Sequence, residues 1–86
     1  MDMSQHLDVE LVETMRAVLK DRFGIELQRL DLDRPLASLG LDSLGFVEYT
    51  FELEKALKIT LPDVPRETVS VGDLVAFINA EMKKHG

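Results

Sequence analysis

Gly40-Leu41-Asp42-Ser43-Leu44 sets a serine hydroxyl where a polar stretch gives way to an apolar run with helical spacing. A serine attacks as a nucleophile only with a base in hydrogen-bond reach, usually a histidine held by a third group. The 86-residue chain has two histidines, His6 and His85, one near each end, and no cysteine to act as a substitute nucleophile or soft metal ligand. The nucleophile-elbow pattern G-x-S-x-G also fails, since Leu41 stands two residues before Ser43 although Gly45 stands two after it. What remains open to Ser43 is the chemistry of a tether and not of a catalyst. Asp31-Leu32-Asp33 opens like a calcium-binding loop, but Pro35 takes the place of the third ligand and Leu36 that of the turn glycine, so no metal site is predicted.

Helices must position that serine. Leu7, Leu11, Val12, Met15, Val18, Leu19 and Phe23 recur at spacings of three and four, which predicts a helix over about residues 4–23 with Gly24 just past its end. Residues 25–42 hold no helical period and carry Pro35 and Gly40. They predict a long loop that folds Leu30, Leu32, Leu36, Leu39 and Leu41 back onto a core, and loops of such length usually have a job. A second helix is expected over 43–57, with Asp42 or Ser43 itself capping its first amides and Glu48, Glu52 and Glu54 giving it an acidic exposed side. Pro62 ends that stretch, and Pro65 leaves room for a short helix over about 64–68. Ser70 and Asp73 have capping-box spacing, with Val69 and Leu74 as a hydrophobic staple. A last helix over about 70–84 then buries Val71, Leu74, Val75, Ile78 and Met82. The fold class is all-α, a small bundle of three main helices and one short one in a single domain over residues 1–86.

A net charge of −6 argues against a nucleic-acid binder, because contact with a phosphate backbone needs an excess of Lys and Arg. Partners with basic patches are expected instead. No apolar run approaches the roughly 18 residues of a membrane span, and Met1-Asp2-Met3-Ser4 lacks a basic leader, so the expectation is a soluble, cytoplasmic, monomeric chain. A chain this small encloses no deep catalytic cavity, which favours binding or carrying over enzymatic work.

Leu39-Gly40-Leu41-Asp42-Ser43-Leu44, then Val47-Glu48, Ile59-Thr60-Leu61-Pro62-Asp63 and Val69-Ser70-Val71-Gly72-Asp73-Leu74-Val75, resemble the acyl carrier protein family in order and spacing. The resemblance spans roughly Leu7 to Met82. It implies that a phosphopantetheinyl transferase joins 4′-phosphopantetheine to Ser43, and that the arm's thiol carries acyl groups as thioesters between loading, condensing or acyltransferase enzymes. It implies further that Asp42 helps the transferase and its metal engage, in addition to or instead of capping the helix. By the same resemblance Leu44, Glu48 and Glu54 face partner enzymes. Val47, Phe51, Leu53, Ile59, Leu61, Val69 and Ile78 are candidates to line an acyl pocket, each being equally an expected core residue. Gly45, Tyr49, Thr50, Lys55, Lys58 and Arg66 depart from the common family pattern. They point to a specialised free-standing carrier of a lipid, polyketide or secondary-metabolite route. Tyr49 either buries its ring with a bonded hydroxyl or reshapes a cargo pocket. The competing readings are an aminoacyl or peptidyl carrier, and an unmodified helical adaptor in which Ser43 is only a cap.

Overall fold

A computed structural model describes the backbone of residues 3–85 and the side chains of residues 9–84. The side chains of Leu7, His6 and His85 lie outside the described residues. Three helices make the bundle: α1 at Met3–Phe23, α2 at Ser43–Leu57 and α3 at Val71–His85. Their limits fall within a residue of the periods in the sequence. In α1 the three- and four-residue spacing turns Leu11, Met15, Val18 and Leu19 inward, where each is at most 9% exposed. From α2 come Tyr49 and Leu53, and from α3 come Val71, Leu74, Val75 and Ile78, to close one continuous core. Glu81 is also buried, its carboxylate 3.2 Å from the Lys84 ammonium one turn on, where the exposed lysine neutralises it.

The short helix does not form over 64–68. That segment makes a single turn, with the Thr68 N–H donating to the Pro65 carbonyl at 3.1 Å. Pro62 just before the segment and Pro65 within it remove donors, so a helix this short gains too few bonds to offset its nucleation cost. One turn of 3-10 helix forms instead at Leu36–Leu39, bracketed by Pro35 and Gly40. It buries Leu39 and packs Leu36 against the core, as Leu30 and Leu41 also pack, whereas Leu32 remains 48% exposed.

Leu32 contributes its backbone. Its carbonyl accepts the Gly72 N–H at 2.7 Å, the Arg34 carbonyl accepts Val71 N–H at 2.9 Å, and Leu36 N–H donates to the Val69 carbonyl at 2.9 Å. The amides opening α3 would otherwise be orphans, and the loop satisfies them. Glycine suits position 72 because a Cβ there would stand 3.0 Å from the Leu32 carbonyl oxygen, and the loop backbone would have to give way. The capping box forms as spaced: Ser70 Oγ accepts Asp73 N–H, while the Asp73 carboxylate accepts the N–H groups of Val69 and Ser70, all at 3.1 Å. Those backbone donors hold the Asp73 carboxyl below its ordinary value. The staple does not close, since Val69 is 65% exposed and outside the packed core.

Candidate functional site

Ser43 is the first residue of α2, exposed, and carried by a rigid cap. Asp42 just before it is extended, with φ −81° and ψ −176°, and its carboxylate accepts the Gly45 N–H at 2.6 Å while its carbonyl accepts Phe46 N–H at 2.8 Å. Asp42 is therefore the cap that residue type and position suggested. Gly45 makes the closure this tight: a Cβ at that position would lie 2.9 Å from Asp42 Oδ1. A residue that reads as a small loss of helix propensity thus leaves the carboxylate room over the first turn. Among the described residues no side chain bonds the Ser43 hydroxyl, and no three His, Asp or Glu side chains gather to hold a metal ion. A groove of about 330 Å³ runs beside the serine, lined by Leu36, Ala37, Leu41, Phe46 and Thr68 as well as Asp42.

Downstream on α2, the residues expected to face partners have different fates. Leu44 is 67% exposed and Glu48 is exposed, one turn apart on the same face. Glu54 is half-buried, and its carboxylate accepts the Leu61 N–H at 2.7 Å, anchoring the chain as it leaves the helix. Glu52, grouped with them as a surface acid, is held between Arg22 at 3.3 Å and Lys55 at 3.4 Å. The acidic side of α2 is accordingly reduced to Glu48, set among exposed Leu44, Val47 and Phe51. The Arg22 to Glu52 pair joins residues thirty positions apart and left no local signal in the sequence.

The seven pocket candidates do not surround one cavity. Leu53 and Ile78 are sealed in the core, Ile59 and Leu61 pack half-buried against it, and Val47, Phe51 and Val69 face solvent. Tyr49 takes the first of its two readings: the ring is wholly buried, its hydroxyl donates to the Met15 carbonyl in α1 at 3.0 Å, and its edge meets Phe23 at 5.9 Å and 88°. Burial alone pushes the phenol well above its ordinary value.

Comparison with known proteins bears on the same surface. Residues 13–78 match the family model described as the phosphopantetheine attachment site. The chain is 37% identical over 69 residues to 3-methylorcinaldehyde synthase of Sarocladium schorii, covering 80% of this chain and 2% of that protein. It is 34% identical over 74 residues to the non-reducing polyketide synthase dbaI of Emericella nidulans, covering 85% of this chain and 3% of that protein. The chain thus spans only a few hundredths of the length of these relatives. Among solved structures, an acyl carrier protein of Thermotoga maritima superposes with a TM-score of 0.82 over 92% of this chain and 94% of that one, at 16% identity, which is a likeness of fold. No helix of the described residues is long and apolar enough to cross a membrane. With an exposed serine at the start of α2, unpartnered among the described residues, and a match from residue 13 to residue 78, the chain belongs to the phosphopantetheine attachment family.

Proposed function

We propose that this protein is an acyl carrier in which the Ser43 hydroxyl bears 4′-phosphopantetheine. The observation that carries the reading is the exposed Ser43 hydroxyl at the first position of α2, without a hydrogen-bond partner among the described residues and next to a cap that fixes the backbone. The residues present suit the group: the phosphodiester's negative charge would lie at the positive end of α2, where first-turn amides favour anions. When attached, the cofactor supplies a terminal thiol that holds acyl groups as thioesters. The chain's own part is to anchor and present. Asp42 holds the turn so that a transferase meets one geometry, and its carboxylate stands beside the serine where the transferase's metal would be engaged. Catalysis then belongs to the partners, a phosphopantetheinyl transferase and the synthase enzymes that load and extend the cargo. Leu44, Val47 and Phe51 offer those partners an apolar strip, with Glu48 to pair with a basic residue. The names of the relatives support a polyketide cargo over a fatty acyl one.

Coexpression with a broad-specificity phosphopantetheinyl transferase, followed by weighing the intact protein, tests the reading. The wild type gains the mass of one phosphopantetheinyl group and Ser43→Ala gains none. An unmodified wild type, or an equal gain on Ser43→Ala, refutes it.

A further inference from the structure

Resting on the reading of Ser43 as an acyl anchor, the packing of α2 also decides where the cargo goes. Tyr49 lies one turn before Leu53 on the inner face of the helix, and both side chains are wholly buried. An acyl chain can enter the bundle only if a side chain leaves room or if α2 swings away from its neighbours. Tyr49 opposes both. Its ring fills the space that an aliphatic residue would leave, and its hydroxyl is bonded across to the Met15 carbonyl, so that separating α2 from α1 strips a buried donor of its acceptor. The edge contact with Phe23 is lost by the same movement. Outside the bundle, Phe46, Val47, Thr50, Phe51 and Leu61 line a surface cleft of about 280 Å³ whose walls also carry the carboxylates of Glu54 and Asp63. Such a cleft keeps oxygen atoms hydrated and gives a long alkyl chain little shelter.

We propose that Tyr49 is a specificity-determining residue that shuts cargo out of the bundle, leaving on the surface an acyl chain that is short and oxygen-bearing. Wild type, Tyr49→Ala and Tyr49→Leu are loaded with acetyl- and octanoyl-phosphopantetheine from the corresponding coenzyme A thioesters, and loading is checked by intact mass before thermal unfolding. A chain that takes no arm at all refutes the carrier reading, and this proposal with it. In the loaded wild type, octanoyl moves the midpoint by less than about 2 °C relative to acetyl, whereas in a variant with space at 49 it raises the midpoint by about 4 °C or more. A wild-type rise as large as the variant's overturns the proposal, and so does a loaded variant that fails to respond. Tyr49 is the one tyrosine of a chain without tryptophan, so its fluorescence gives a second measurement that needs no variant to fold. Emission unchanged between the acetyl and octanoyl wild type agrees with exclusion, and a change in emission places the chain against the ring and overturns it.

Discussion

Replacing Tyr49 with phenylalanine removes one oxygen and tests how α1 and α2 are held together. The ring stays, so the buried apolar area and the contact with Phe23 are kept, and what is lost is a 3.0 Å hydrogen bond to the Met15 carbonyl. That carbonyl lies within α1 and keeps its helical N–H partner, so no orphaned group remains. The expected cost near neutral pH is about 1 kcal/mol, a fall of about 4–8 °C in Tm for a domain of this size. Alkaline pH reverses the order. The phenol of the folded chain is held above the ordinary value of 10.0, so the unfolded chain releases its proton first. Stability tied to this group is thus complete below pH 10.0 and is lost as pH rises towards the folded value. Through this group each further unit takes about 1.4 kcal/mol from the wild type and nothing from Tyr49→Phe, so the two curves cross at about pH 11. Urea midpoints for both proteins across the alkaline range supply the test, lysine titration being common to the two. Phenolate absorbance, which reports this residue alone, should appear only as the wild type unfolds. Parallel curves through pH 10 and above, or equal stability at neutral pH, refute the account of Tyr49 as a desolvated, bonded strut.

Four further outcomes are expected. Asp42→Ala removes the carboxylate that accepts Gly45 N–H and lowers stability by about 1 kcal/mol in urea titration, with faster amide exchange confined to the first turn of α2. Lys58 caps the other end of α2 at φ 58°, a conformation that glycine enters without strain, so Lys58→Gly should raise stability by about 0.5–1 kcal/mol, and a loss would show that the side chain matters more than the backbone. The lowered carboxyl of Asp73 contributes stability that is present above its ordinary value of 3.8 and lost as pH falls through the folded value; Asp73→Asn should flatten that acid limb, and an unchanged slope in acid unfolding would rule the group out. Glu48→Lys should slow modification by a transferase while leaving circular dichroism unchanged, with only a shallow dependence of the wild-type rate on salt, because Glu52 and Glu54 are already engaged within the chain.

Local pattern accounts for most of what could be read in advance. The three helices and the capping box follow from spacing and residue type within a few positions, and the structure places them accordingly. The features that eluded such reading depend on partners far along the chain. Leu36–Leu39 forms a turn of helix because its leucines find a core, although the same Pro35 and Gly40 read locally as loop punctuation. Nothing near residue 54 announces that its carboxylate meets the Leu61 amide, and nothing near residue 52 announces Arg22. Gly45 is the instructive case at the site itself. Propensity marks it as a weakness, and only the position of the Asp42 oxygen, 2.9 Å from where a Cβ would stand, shows what a side chain there would push aside.

The stitching of the 25–42 segment to the entry of α3 has a consequence for the timing of synthesis. Bonds from Leu32, Arg34 and Leu36 reach Val69, Val71 and Gly72, residues made more than thirty positions later. Until those later residues leave the ribosome and α3 begins to form, the segment ahead of Ser43 has only its packing against α1 and α2 and lacks these three bonds. A nascent chain that has exposed Ser43 and α2 but not residue 72 would offer a transferase the hydroxyl with its Asp42 cap but without the fastened segment ahead of it. The entry of the last helix, though it holds none of the residues beside the serine, thereby supplies the bonds that fasten the approach to it.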